Sequence, residues 1–60
     1  MPDIQDAITH YHQGNTYRQQ NNLDAAIEAY SKAIELNPDY ADAYCGLGVA
    51  YDDQGAFDRP

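Results

Sequence analysis

The feature that most constrains this chain is an internal repeat with a period of 34 residues. When the 60-residue sequence is shifted along itself by 34 positions, five pairs of residues are identical. The pairs are Ala7/Ala41, Gly14/Gly48, Tyr17/Tyr51, Gln20/Gln54 and Asp24/Asp58. A period of this length is typical of a helix–turn–helix unit that stacks into a solenoid. We therefore expect an all-α chain that contains one such unit and the start of a second.

Two turn signals define the first two predicted helices. The first helix is expected from residue 3 or 4 to residue 20, because Asn21 and Asn22 tolerate capping and left-handed conformations. The second helix is expected over residues 23–36. It should end before Pro38, which lacks an amide donor and disfavours a helical conformation in the preceding residue.

The third helix is expected from residue 39 or 40 to residue 54, with Gly55 ending it in a left-handed conformation. Apolar residues recur at helical spacing in all three segments. They are Ile4, Ile8, Tyr11 and Tyr17 in the first helix, and Ala26, Ile27, Tyr30, Ala33 and Ile34 on one face of the second. In the third helix, the residues expected to face inward are Ala43, Tyr44, Leu47, Ala50 and Tyr51.

Two glycines one repeat apart are expected at contacts between helices. A glycine inside a helix costs about 0.5–1 kcal/mol relative to alanine, so its recurrence suggests that close packing offsets this cost. Gly14 and Gly48 are the two residues concerned. We therefore expect Gly48→Leu to overpack a helix contact and to destabilise the fold by about 1–3 kcal/mol.

Two patterns resemble signatures of the tetratricopeptide (TPR) family, which supplies a more specific expectation. They are Tyr44-x2-Leu47-Gly48-x2-Tyr51 in the third helix, with tyrosine in place of tryptophan, and Ala26-x3-Tyr30 followed by Ala33 and Pro38 in the second. The resemblance implies a single module over residues 1–60, with a complete repeat at 7–40 and a truncated second repeat at 41–60. Its fold would be an antiparallel helix hairpin plus a third helix, the start of a right-handed α-solenoid.

The resemblance also implies a binding surface, since the first helices of successive TPR repeats line a concave groove that binds peptides. The positions that would line this groove are Ile8, Tyr11, Asn15, Arg18, Asp42, Cys45, Val49 and Asp52. Taken singly, each is more simply interpreted as a solvated residue, and only the set indicates a site. The clamp that binds chaperone tails in one subgroup is not expected, because only Asn15 matches it.

The function expected from these features is a protein-interaction scaffold, as a fragment of a longer TPR array. The alternative is a self-assembling module in which two copies pair or exchange a helix. In that alternative the unpaired side of the third helix would form the contact. Its expected residues are Leu47, Ala50, Tyr51 and Phe57. A steep dependence of size on concentration would favour self-assembly, whereas saturable binding of a basic peptide would favour the scaffold.

The charge of the chain limits its partners. Its formal net charge is −7, with only Arg18, Lys32 and Arg59 as cations. Nucleic acids and anionic membranes are therefore not expected partners, because both require clustered lysine and arginine. A basic protein or peptide is electrostatically favoured, although such a charge often serves solubility alone. The sequence has no signal-peptide pattern and no membrane-spanning stretch, so a cytoplasmic location is expected.

Catalysis is not expected, and neither is a cofactor or a metal ion. Asp6 and His10 lie four residues apart, but no further metal ligand is evident in the sequence. Cys45 has no base beside it, which favours a buried or half-buried structural thiol over a nucleophile. The sequence carries no phosphate-binding glycine loop or other cofactor motif.

Overall fold

The chain folds into three helices. The computed structural model describes the backbone of residues 3–58 and the side chains of residues 5–55. Helix α1 comprises Asp3–Gln19, α2 comprises Leu23–Leu36 and α3 comprises Ala41–Asp58. Helices α1 and α2 form a hairpin, and α3 packs mainly against α2. The predicted all-α hairpin with a third helix is confirmed, and α2 has the predicted bounds.

The turn between α1 and α2 is fixed by two asparagines. Asn21 has a left-handed backbone, with φ of 63°. Its amide donates to the carbonyl of Arg18 at 3.0 Å, and the amide of Asn22 donates to the carbonyl of Tyr17 at 2.8 Å. These two bonds are those of a Schellman motif, which satisfies carbonyls at the end of a helix. The motif explains why α2 can start at once, at Leu23.

The connection between α2 and α3 is also short. Asn37 leaves the helical region, with φ of −142° and ψ of 91°, as expected for a residue before proline. Its side-chain oxygen accepts a hydrogen bond from the amide of Asp39 at 3.2 Å. The carbonyl of Tyr40 then accepts the amides of Ala43 and Tyr44, at 3.1 and 3.2 Å. Helix α3 therefore begins just after Tyr40.

The expected end of α3 at Gly55 is wrong. Gly55 does not have a positive φ, and the helix continues to Asp58. A glycine ends a helix only when its backbone turns left-handed, and here the backbone continues in the helical region.

The core consists of one tyrosine surrounded by small residues. Tyr30 is fully buried and packs with Ala26 and Ala50, and Tyr11, Ile27 and Leu47 border this cluster. The other buried apolar residues are Ala7, Leu23, Ala29, Ala33 and Ala43. Because alanine is small, the helices can approach closely at these contacts, and the remaining space at their centre is filled by the ring of Tyr30.

The inward face predicted for α3 is too wide. Ala43 and Ala50 are fully buried and Leu47 is half-buried, but Tyr44 and Tyr51 are 51% and 55% exposed. Helix α3 packs on the hairpin along only one side, and the two tyrosines lie outside that contact. The prediction assumed one continuous inward face, whereas only a narrower strip contacts α2.

The expected role of Gly14 is confirmed, and that of Gly48 is wrong for the described chain. A Cβ atom added at Gly14 would lie 2.6 Å from Cε1 of Tyr30, whereas one added at Gly48 would meet no atom within 4 Å. The glycine of α3 that contacts Tyr30 is Gly46, where an added Cβ would also lie 2.6 Å from Cε1. The structure thus gives no reason for Gly48→Leu to destabilise this chain.

Candidate functional site

Two of the predicted groove residues hold the central tyrosine. The hydroxyl of Tyr30 donates a hydrogen bond to Oδ1 of Asn15 and accepts one from Nε of Arg18 at 3.3 Å. A buried hydroxyl needs such partners, because leaving it unpaired costs about 1–3 kcal/mol. Asn15 and Arg18 therefore satisfy the core tyrosine as well as lying on the predicted groove.

The environment of Arg18 differs from that of a free surface cation. The hydrogen bond from Arg18 to Tyr30 is the main cause that raises the pKa of the guanidinium above its ordinary value. The negative charge of Asp53 raises this pKa further. The positive charge of Arg18 is thus partly offset by the negative charge of Asp53 on α3.

Aromatic rings connect one of the predicted groove residues, Tyr11, to the loop before α3. The ring of Tyr11 lies 5.9 Å from that of Tyr30 and 5.2 Å from that of Tyr40, both in tilted arrangements that are favourable for aromatic pairs. Burial raises the pKa of the Tyr40 hydroxyl, and Tyr11 and Asp42 raise it further. Tyr11, Tyr40 and Asp42 therefore lie in one region of the surface.

The other predicted groove residues are exposed on their helices. Ile8 and Val49 are each 42% exposed, and Asp42, Cys45 and Asp52 are exposed as well. The structure thus brings Tyr11, Asn15 and Arg18 together around Tyr30, while the remaining five face solvent. The exposed thiol of Cys45 contradicts the expectation of a buried or half-buried one. Sequence reasoning missed Tyr40, since it lies in the turn rather than on a helix face.

The residues predicted for self-association do not form one surface. Ala50 is fully buried in the core cluster, which contradicts its assignment to an exposed face. Leu47 is half-buried against the same cluster, and Tyr51 is exposed. The side chain of Phe57 lies outside the described residues. Tyr44, which the helical spacing assigns to the inward face, is the residue that accompanies Tyr51 on the exposed side.

A shallow hollow between α1 and α2 lies away from the predicted groove. Its lining residues identify the side of α1 that faces α2. Its lining residues are His10, Gln13 and Tyr17 from α1, and Ala25, Glu28, Ala29 and Lys32 from α2.

Two further observations concern membrane-spanning helices and metal sites in the described part of the chain. None of the three helices is both long enough and apolar enough to cross a membrane. Among the side chains of residues 5–55, no three of His, Cys, Asp or Glu are grouped so that they could hold a metal ion.

Comparison with known proteins gives three informative relatives. Protein O-mannosyl-transferase TMTC1 from Homo sapiens is 51% identical over 35 residues, which is 58% of this chain and 4% of that protein. Small glutamine-rich tetratricopeptide repeat-containing protein alpha from Homo sapiens is 42% identical over 43 residues, 72% of this chain and 14% of that protein. UDP-N-acetylglucosamine--peptide N-acetylglucosaminyltransferase from Giardia intestinalis is 42% identical over 41 residues, 68% of this chain and 3% of that protein.

These matches are restricted to a small part of each relative. The chain spans no more than 14% of the length of any of the three, so the transferase names of two of them describe proteins far longer than the matched segment. No solved structure matches the chain.

The family model for the TPR repeat, a protein–protein interaction module that is generally a non-catalytic scaffold, matches residues 14–55. This match covers most of the chain, and the chain therefore belongs to the TPR repeat family.

Proposed function

We propose that the chain binds an extended or helical peptide segment of a partner protein on the face formed by α1 and α3. The observation that carries the proposal is the combination of exposed apolar and acidic side chains on that face. Ile8 and Val49 supply apolar contact area, and Asp42 and Asp52 supply negative charge. The rings of Tyr11 and Tyr40 pack against each other in a tilted arrangement, and this contact holds both rings in place on that face.

The charge of this face supports a basic partner. Asp42 and Asp52 are both exposed, and the chain as a whole carries −7. The one cation of the proposed set, Arg18, is engaged with Tyr30 and lies near Asp53. A segment that carries lysine or arginine would therefore be attracted, whereas an acidic segment would be repelled.

We expect a basic peptide to bind more tightly than an acidic one of the same length and apolar content. Exposed ion pairs each contribute about 0.2–1 kcal/mol, so pairing with both aspartates should change the affinity by about two- to thirtyfold. Fluorescence anisotropy with labelled peptides would measure the two dissociation constants. Because the attraction is screened by ions, binding of the basic peptide should weaken as salt is raised from about 0.05 to about 0.5 M.

Two double variants that each remove two negative charges test where on the chain the basic peptide binds. The double variant Asp42→Asn with Asp52→Asn should bind the basic peptide more weakly than the parent does. The control, Glu28→Gln with Glu35→Gln, removes the same amount of charge from exposed positions on α2 and should change the affinity less. Equal loss in both double variants would show that only net charge matters. Equal affinity of the parent for basic and acidic peptides would contradict the proposal directly.

We further propose that the chain is part of a longer TPR array in the cytoplasm. In this proposal residues 7–40 form a complete repeat and residues 41–60 form the first part of the next. The far greater length of the relatives supports it. Reading the gene beyond Pro60 tests the array, since repeats that continue with the same 34-residue period would support it and an unrelated sequence would not.

A second candidate function, self-assembly, is favoured by the exposed tyrosines of α3. Tyr44 and Tyr51 leave more than half of their surface in solvent, and exposed apolar surface promotes association. Two copies that cover each other's α3 would form a closed dimer. Repulsion between chains of charge −7 opposes this association, but salt at about 0.1 M screens it beyond about 10 Å.

We expect the mass measured by sedimentation equilibrium to rise above 6.7 kDa between micromolar and millimolar concentration. Tyr44→Gln with Tyr51→Gln should return the chain to a monomer, whereas Val49→Gln, an exposed apolar residue on another face of α3, should not. A single species of 6.7 kDa throughout would reject self-assembly.

A further inference from the structure

One end of the proposed peptide-binding face combines aromatic rings with a carboxylate. Tyr11 of α1 and Tyr40, just before α3, are both half-buried, and the centres of their rings lie 5.2 Å apart. Burial is the main cause that raises the pKa of the Tyr40 hydroxyl, and the charges of Tyr11 and Asp42 raise it further. The exposed carboxylate of Asp42 therefore lies near the two rings. We call Tyr11, Tyr40 and Asp42 the Tyr40 cluster.

The ring of Tyr40 is held in place without a ligand. The amide of Tyr40 donates to the carbonyl of Asn37 at 3.0 Å, and its own carbonyl accepts two amides from the first turn of α3. Its ring packs on Tyr11, whose ring lies 5.9 Å from that of the buried Tyr30. A ligand that stacks on Tyr40 would therefore not have to order the ring first, which lowers the entropic cost of binding.

The other end of the face has negative charge but no pair of rings. Asp52 follows Asp42 by ten residues in α3, which places the two about 15 Å apart along the helix axis. Every close pair of rings among the described side chains includes Tyr11. The two ends of the face should therefore differ in the cation that each prefers.

We propose that the Tyr40 cluster binds an arginine side chain of the partner segment in preference to a lysine. A guanidinium is planar, so its face can stack on a tyrosine ring while its edge donates hydrogen bonds to the carboxylate of Asp42. The ammonium of lysine is a compact, strongly hydrated charge that lacks this flat geometry. The proposal rests on the peptide-binding function proposed above, and it adds which basic residue binds at which end.

The test uses two peptides of equal charge and length, each with the same fluorescent label on its N-terminus and an amidated C-terminus. One has the sequence Gly-Ser-Arg-Ser-Leu-Ser-Arg-Ser-Gly, and the other has lysine in place of both arginines. In an extended chain, residues four apart lie on the same side and about 13 Å apart, close to the spacing of Asp42 and Asp52. The central leucine lies on that side too and can contact Val49, which is exposed. Because both basic positions carry the same residue, the result does not depend on the direction in which the peptide binds.

We expect the parent chain to bind the arginine peptide about three- to fivefold more tightly than the lysine peptide, because a stacked guanidinium gains a cation–π contact. Tyr40→Leu removes the ring and should abolish this preference, whereas Tyr40→Phe keeps the ring and should retain it. Asp42→Asn should reduce the preference, whereas Asp52→Asn should weaken both peptides by a similar factor. Fluorescence anisotropy measures the dissociation constants, at chain concentrations where sedimentation shows a monomer.

Tyr51→Leu is the matched control, since it removes an exposed tyrosine from α3 outside the Tyr40 cluster and should leave the preference unchanged. Thermal melts show whether each variant is folded during the titration, and Asp42→Asn, at an exposed position, decides the point if Tyr40→Leu unfolds.

The outcomes separate this proposal from the function on which it rests. Equal affinity of the parent for the arginine and lysine peptides would overturn the arginine site and leave the peptide-binding function in place. A preference for arginine that persists unchanged in Tyr40→Leu, or in Asp42→Asn where Tyr40→Leu unfolds, would overturn the site as well. Binding of neither peptide up to millimolar concentration would overturn both proposals.

Discussion

Tyr30→Ala is expected to unfold the chain at room temperature. Truncating a large buried aromatic side chain costs about 3–5 kcal/mol, and a domain of this length has little stability in reserve. Among the described side chains, Tyr30 is the only large one that is fully buried, and it contacts all three helices. Circular dichroism in the far ultraviolet should show loss of most of the helical signal, with no cooperative thermal transition.

Tyr44→Ala is the matched control for this prediction. It removes the same side chain from a position that is 51% exposed, so its effect on the free energy of unfolding should stay within about 0.5 kcal/mol. Tyr30→Phe should lie between the two. It keeps the ring but leaves Oδ1 of Asn15 without its donor, at a cost of about 1 kcal/mol. Similar melts for Tyr30→Ala and Tyr44→Ala would show that the core is not centred on Tyr30.

Local chemistry explains why the helices could be predicted so closely. Asn21 can adopt the left-handed backbone of a Schellman turn, and Pro38 restricts the residue before it, so both ends of α2 follow from their nearest neighbours in sequence. Gly55 shows the limit of this reasoning. Glycine permits a left-handed conformation without requiring it, and the preceding turns of α3 continue through it.

The contacts between helices could be predicted less well, because they depend on which neighbours are present. The repeat correctly relates Gly14 to Gly48, but Gly48 has no helix over it in the described chain. Gly46 corresponds to the exposed His12 of α1, so the repeat gives no sign that it packs on Tyr30. A repeat pattern reflects the contacts of a unit that has a neighbour on each side, whereas among the described residues α1 and α3 contact α2 and, to a smaller extent, each other.

The same reasoning applies to the proposed binding face. Family resemblance placed Asn15 and Arg18 on the groove, but it could not show that both also hold the hydroxyl of Tyr30. Those hydrogen bonds join residues 15 and 12 positions apart, and their geometry depends on the packing of α2 on α1. Substitutions at these two positions would therefore change stability together with binding, which makes Asp42 and Asp52 the better probes of function.

Alanine substitutions at Gly46 and Gly48 are expected to change stability in opposite directions, although the two residues are only two positions apart in α3. Alanine is a better helix former than glycine by about 0.8–1 kcal/mol. At Gly48 an added Cβ meets nothing, so Gly48→Ala should stabilise the fold by about that amount. In a domain of this size, a change of about 1 kcal/mol raises the melting temperature by about 4–8 °C.

At Gly46 the helical gain is outweighed by a clash. The added Cβ would lie 2.6 Å from both Cε1 and Cζ of Tyr30, and Gly14 of α1 already closes on the same ring. The ring has little freedom to move away, because it is fully buried and its hydroxyl is held by Asn15 and Arg18. Overpacking of this kind costs about 1–3 kcal/mol, so Gly46→Ala should lower the melting temperature.

Gly14→Ala should also lower the melting temperature, since its Cβ would meet the same three ring carbons of Tyr30. Thermal melts of the three alanine variants would measure the direction of each stability change, and urea titrations would give the free energies of unfolding. If Gly46→Ala and Gly48→Ala shift stability in the same direction, the packing of Tyr30 against α3 is not as the structure has it.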